Sequence, residues 1–371
     1  MQYSSILLLS AFAVTNVFGH GVVTEIQGAN RVQMNGLSVI DETPRDCASP
    51  RCGSEADTAI IREREMGSNK ASALGRTQGG GPISADKMVS MFMTGDGGNG
   101  TSNKAARDLH AANLFRRSLV PRDANGGQKT PKGTKEQGVK AAAGTGSDSG
   151  MPTCSDDGTV TMTFHQVNQD GAGPLKAMVD GTSGGTDPAA FKPATVTQNV
   201  PGIGIGGLSG ASVMDFQVKA KMPEDMTCEA SVGGADNVCI MRLNNAAAAG
   251  PFGGSVAFTM SPGAKKRAIE YKLRKRNFAR ALKQKRQEDQ AAAIPEALKS
   301  TGSATEAEDG KAEDVKITKR QQTEAAAAIA ALKEMGSSVT ADEAEKQEQA
   351  VKRAEDQEVA EIDREVAEDD A

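Results

Sequence analysis

Tryptophan is absent from this chain of 371 residues, and only two tyrosines and three histidines are present. Tyr3 lies in an N-terminal apolar segment and Tyr271 in a basic stretch, so phenylalanine is the only aromatic between them. Exposed Tyr and Trp rings present large amphipathic faces for stacking, and this region has no such platform for crystalline sugar. So few histidines leave little material for hydrolytic triads, and no paired carboxylates stand out. After the first residues, no apolar run approaches the ~20 residues that span a bilayer. That excludes a membrane span and points to a soluble product. The net charge of −5 is unevenly placed. Residues 264–286 are densely basic, residues 288–371 are acidic and alanine-rich, and the region before them is nearly balanced. The acidic tail is the cheaper partner for the basic segment, and no nucleic-acid partner is expected.

What is present begins with a leader. Ile6 to Val14 is a short apolar core, and Val17-Phe18-Gly19 supplies small residues where a signal peptidase reads. Cleavage between Gly19 and His20 makes His20 the first mature residue of a secreted protein, extracellular or in the cell wall. Ala11-Phe12-Ala13 offers a rival cut, but it falls inside the apolar run. A terminal histidine chelates through its α-amine and ring Nδ1 together; an internal one cannot. Export favours disulfides. Cys47 and Cys52 can close a small loop around Pro50, and Cys228 and Cys239 flank a Gly-rich turn suited to a hairpin staple. Cys154 is left over, and other pairings stay open. Asn99-Gly100-Thr101 is a glycosylation sequon.

The expected order is a leader over 1–19, a first β part over 20–95 and a disordered insert over 96–150. The main β region follows over 151–262, then a basic helical segment over 263–289 and an acidic low-complexity tail over 290–371. The insert is rich in Gly, Ser, Asn, Lys and Thr with no apolar period. Val160, Met162 and Phe164 alternate with threonines, and Phe216, Val218 and Ala220 alternate with polar residues. Val256, Phe258 and Met260 alternate likewise, and Asn237–Leu243 is a further short strand candidate. Many short strands divided by turns predict an all-β chain. The fold class is an immunoglobulin-like antiparallel β-sandwich with long loops, followed by a helical or disordered C-terminal tail.

The densest motif is His165-Gln166-Val167-Asn168-Gln169-Asp170-Gly171-Ala172-Gly173-Pro174. Period two puts His165 on the threonine face of its strand, where it is available as a ligand; the plainer reading is a turn histidine bonded to nearby backbone. His110, within the insert, is not expected to be a ligand. Gly202 to Gly207 matches G-x-G-x-x-G, but the required strand and helix context is missing, so it reads as a loop.

Several motifs in order resemble one family. They are His20-Gly21-Val22-Val23, Thr43-Pro44-Arg45-Asp46-Cys47, Ala73 to Gly79, His165 to Pro174, Val196 to Gly202 and Ala248 to Gly254. The chain is similar over most of 20–262 to the Egh-like fungal virulence factors, appressorium-specific secreted proteins. The resemblance implies a secreted protein of a filamentous fungus, expressed during host penetration. The family's architecture is reminiscent of copper-dependent lytic polysaccharide monooxygenases, which hold copper in a histidine brace of three nitrogens. Carried over, His20 is the chelator, His165 the second ligand, Phe252 an axial aromatic and Gln166 an oxygen-positioning neighbour. His165 lies further upstream of the Gly-Pro step than in the cellulose-active group, and the axial tyrosine would be phenylalanine. Three functions follow: a virulence-associated binding protein holding copper, a copper monooxygenase acting on host or fungal wall polysaccharide, or a structural wall protein. The oligomeric state is left open.

Overall fold

The computed structural model describes residues 20–95, 104–169, 171, 173–202, 210–247 and 250–300. In chain order the elements begin with β1 (Gly21–Gln27), β2 (Gln33–Asn35), β3 (Ala59–Ile60), β4 (Arg76–Thr77), β5 (Gly81–Pro82) and α1 (Ala85–Thr94). Next come α2 (Lys104–Ser118), β6 (Gln128–Lys129), α3 (Gly138–Ala142), α4 (Gly146–Ser149), β7 (Thr159–Gln166) and β8 (Lys176–Asp180). The last are β9 (Lys192–Gln198), β10 (Met214–Lys221), β11 (Ala230–Val232), β12 (Ala235–Asn244), β13 (Phe252–Thr259) and α5 (Pro262–Ser300).

The strands pair antiparallel along one path, β2-β1-β7-β10-β9-β8-β12-β13-β3-β4-β5, with β6 on β10 and β11 on β12. The path curls on itself as a half-barrel. Gly254 of β13 lies against the backbone of Val23 in β1, and Leu37 N donates to Ser255 O at 2.8 Å. This is the antiparallel β fold expected; its facing layers are two halves of one hydrogen-bonded sheet.

Alternation explains which faces close on the core. Val160, Met162 and Phe164 of β7, and Phe216, Val218 and Ala220 of β10, are all buried. They meet Val23 and Ile26 of β1, Ile240 of β12 and Phe258 of β13 in one cluster. Fully burying a side chain such as Phe164 stabilises by about 1.5–3 kcal/mol. Cys47–Cys52 and Cys228–Cys239 are both bonded, and Cys154 is free and buried.

The stretch read as a disordered insert is ordered from residue 104, where α2, β6, α3 and α4 lie. Its order comes from distant partners. Arg45 N donates to Thr134 O and Glu136 N to Thr43 O, each at 2.9 Å. Asp41 caps α3 by accepting from Val139 N at 3.1 Å and Lys140 N at 2.8 Å. Arg45 is buried between Asp57 and Glu136 and donates to both carboxylates. Composition over a local window cannot register such pairings.

The chain divides into two compact units, 1–272 and 273–371. In the first, α5 opens with Ala264 and Ala268 buried. The dibasic pairs Lys266-Arg267, Lys275-Arg276 and Lys285-Arg286 fall within α5. The tail beyond residue 300 lies outside the described residues. Among the described residues no helix is long and apolar enough to cross a membrane.

Candidate functional site

The two motif histidines share a sheet face because β1 and β7 pair. Val22 faces His165 and Gly21 faces Gln166, and Val167 N donates to His20 O at 3.0 Å. His20 therefore continues the ladder opposite Val167, diagonal to His165 on the same face of the sheet. Diagonal neighbours on one face lie about 7–8 Å apart at the backbone, within reach of long or aromatic side chains. The Gly-rich end of the motif makes this approach possible: a Cβ on Gly171 would lie 1.9 Å from His20 O. Only glycine allows two backbones so close.

Both histidines are buried, and each has a carboxylate at Nδ1. His20 Nδ1 is 3.1 Å from Glu55 Oε1, and His165 Nδ1 is 2.8 Å from Asp215 Oδ1. Asp215 faces His165 across the β7–β10 ladder. Its other oxygen accepts from Thr130 Oγ1 at 3.3 Å and pairs with Arg117 at 3.2 Å. Burial pushes the Asp215 carboxyl up, but the Arg117 cation, His165 and Arg45 outweigh it and hold it down at about 2. An ionised carboxylate only accepts hydrogen bonds, so His165 Nδ1 carries the proton in this contact. Nε2 then presents its lone pair. That atom is buried and makes no hydrogen bond among the described residues. Metal-ligating histidines are oriented by carboxylates in this way.

At His20, the backbone nitrogen donates to Asn168 Oδ1 at 2.8 Å, and Asn168 Nδ2 donates to Glu55 Oε1 at 3.3 Å. The two atoms that would chelate, N and Nδ1, thus turn toward one polar spot formed by Asn168 and Glu55. The Phe252 ring lies 4.5 Å from the His20 ring. Asn245 Oδ1 fixes it by accepting from Phe252 N at 3.0 Å. No cluster of three or more His, Cys, Asp or Glu side chains suited to a metal is found among the described residues. A brace needs only two side chains, its third nitrogen being a terminal amine, and nitrogen donors of this kind suit Cu(II).

Of the expected site residues, His20 and Phe252 are in ring contact, His165 shares the sheet face of His20, and Gln166 points away. Strand alternation puts Gln166 on the opposite face from His165. Its Nε2 donates to Asn168 O at 3.0 Å and Ala211 O at 2.8 Å, which makes it a loop anchor. His110 lies in α2, near Glu136 rather than at the brace. Gly19, Asn99 and most of the Gly202–Gly207 loop lie outside the described residues. Sequence reasoning missed Glu55, Asp215 and Arg117. Asp215 begins an alternating strand on the face that pairs with His165, which is a readable signal; Glu55 sits in a turn with none.

The profile of the Egh16-like virulence factors matches residues 18–253, the span that carries both histidines and Phe252. The chain belongs to this family. An Egh16-like relative, the appressoria-specific virulence factor GAS2 of Pyricularia oryzae, is 63% identical over 291 residues, covering 78% of this chain and all of the relative. The appressoria-specific virulence factor GAS1 of the same fungus is 28% identical over 273 residues, covering 72% of this chain and 84% of that one. No solved structure matches this Egh16-like chain. The relatives support a fungal virulence-associated protein.

Proposed function

We propose that this Egh16-like protein is secreted during host penetration and, once cut after Gly19, binds copper through His20 and His165. The observation that carries the reading is the buried Nε2 of His165. It has no hydrogen-bond partner among the described residues, is aimed by Asp215, and shares a sheet face with His20. His20 would give its amine and Nδ1, with copper replacing the Asn168 and Glu55 contacts that these two atoms make in this structure, and His165 would give its Nε2. Bound copper supplies one-electron redox chemistry toward oxygen or peroxide. Phe252 covers one side of the His20 ring.

A second reading, an oxidase of host or fungal wall polysaccharide, draws support from the Phe252 ring beside His20. The missing Tyr and Trp platform and the burial of both histidines favour binding over catalysis.

Mass spectrometry of the secreted protein tests the first step, with a mature N-terminus at His20 expected and any other start overturning the brace. Copper titration of wild type against His165→Ala tests the second. We expect at least a tenfold loss of affinity; equal affinity removes His165 as a ligand. Binding should weaken on acidification, because protons compete with copper for the amine and the imidazole nitrogens. Oxidised sugar ends released from wall polysaccharide with a reductant would favour the oxidase.

A further inference from the structure

A cavity lies away from the histidines, on the outward face of β8, β9 and β12. It holds about 980 Å³ and is roofed by the Arg62–Met66 segment. Its floor follows the ladder: Arg242 of β12 faces Met178 of β8, which faces Pro193 of β9, and Asn244 faces Lys176.

Arg242 is the anomaly in this groove. It is 4% exposed, yet no carboxylate pairs with it among the described residues. Its guanidinium lies over the Phe191 ring at 4.4 Å, donates to Ala73 O, and touches the sulfurs of Met66 and Met178 at 3.4 and 3.3 Å. Nε is buried and donates to nothing among the described residues. Burial pulls the guanidinium pKa down, and only the nearby Glu63 acts against it. A buried charge without a counter-ion costs stability. The same chain pairs its other buried arginine, Arg45, with two carboxylates. Further along the groove, Arg64 and Lys176 are exposed and enter no ion pair among the described residues. The lining therefore carries an excess of cations over its one acid, Glu63.

We propose that this groove binds a carboxylate-bearing oligosaccharide, with one carboxylate seated on Arg242 and others along Arg64 and Lys176. Arginine's planar fork matches a carboxylate bidentately, and Arg242 lines the groove with no carboxylate of its own among the described residues. The volume suits an oligomer rather than a lone ion. Asn244 adds an amide of the kind that meets hydroxyls. Without Tyr or Trp, this domain has ion pairing in place of ring stacking. An acidic peptide is the weaker fit, because the floor is a sheet face whose strands are paired on both sides, leaving no edge for strand addition.

Calorimetric titration of the full chain with tetragalacturonate tests this, beside its methyl ester, a neutral cello-oligosaccharide, a poly-glutamate peptide and inorganic phosphate. We expect the uronide to bind at least tenfold tighter than the others, and more weakly as salt rises. Arg242→Met should lose tenfold or more while keeping or raising the melting temperature, because it removes an unpaired buried charge. Arg64→Ala with Lys176→Ala, at exposed positions, should weaken binding without touching the fold. The proposal is overturned by uronide affinity unchanged in both variants, by equal binding of the ester, or by phosphate or the peptide binding as tightly. None of these readouts involves copper, so the outcome stands apart from that of the metal site.

Discussion

Asp215 decides which nitrogen His165 offers. Its carboxylate is ionised and can only accept, so a neutral His165 keeps its proton on Nδ1 and leaves Nε2 for a ligand. An asparagine there fills the same space but can present its amide NH₂ to Nδ1 and reverse the tautomer. Asp215→Asn is therefore expected to lower copper affinity by about 10–100-fold, the usual effect of removing a ligand's carboxylate support. Titration beside wild type, with circular dichroism to establish that the fold persists, checks it. Unchanged affinity would show that Asp215 serves stability alone. Asp215 was within reach of sequence reasoning, as the polar first turn of an alternating strand. Glu55 and Arg117 were not, since each acquires its role from a partner far along the chain, His20 and Asp215.

Among the elements, β7 and β10 were plain from alternation because each buries one face in the core and carries polar residues on the other. β13 was harder, since nearly all its residues are buried and the period fades. β1 lies next to the leader and just after His20, where the apolar residues Val22, Val23 and Ile26 are too few to mark a strand by alternation. The helices of residues 104–149 escaped because α2 has no apolar stripe and α3 draws its cap from Asp41. The β11–β12 hairpin was anticipated from its cysteines, and there the spacing yields a magnitude. Cys228 and Cys239 are separated by 11 residues. Closing so short a loop stabilises by about 2–3 kcal/mol through the unfolded chain. Replacing both cysteines with serine should lower the melting temperature by several degrees while leaving copper binding intact. A loss of binding in calorimetry would show the hairpin coupled to the site.

At the scale of the whole molecule, acid should unfold this protein through its buried carboxylates. Burial pushes Glu136 up, but Arg45 and the amide of Gly138 outweigh it and lower its pKa. Burial likewise raises Asp180, and the Ser183 hydroxyl and loop amides bring it below its ordinary value. Folded pKa values below the unfolded ones, about 4, mean stability that is present above pH ~4 and lost as pH falls through the depressed values. Asp41, raised by burial, has the opposite sign and partly offsets this. Urea midpoints measured from pH 6 downward should hold steady and then fall below pH ~4. A flat profile would show these carboxylates unperturbed.

β1 carries one more consequence. In the sheet it lies between β2, which follows it directly, and β7, and its partner across the core is β13; the last two are made long after it. Pairings between segments so far apart form slowly, since a long loop must close before any contact rewards it. As the chain is synthesised, β1 emerges first and waits. His20, at the head of the fold, is among the last residues to reach its place.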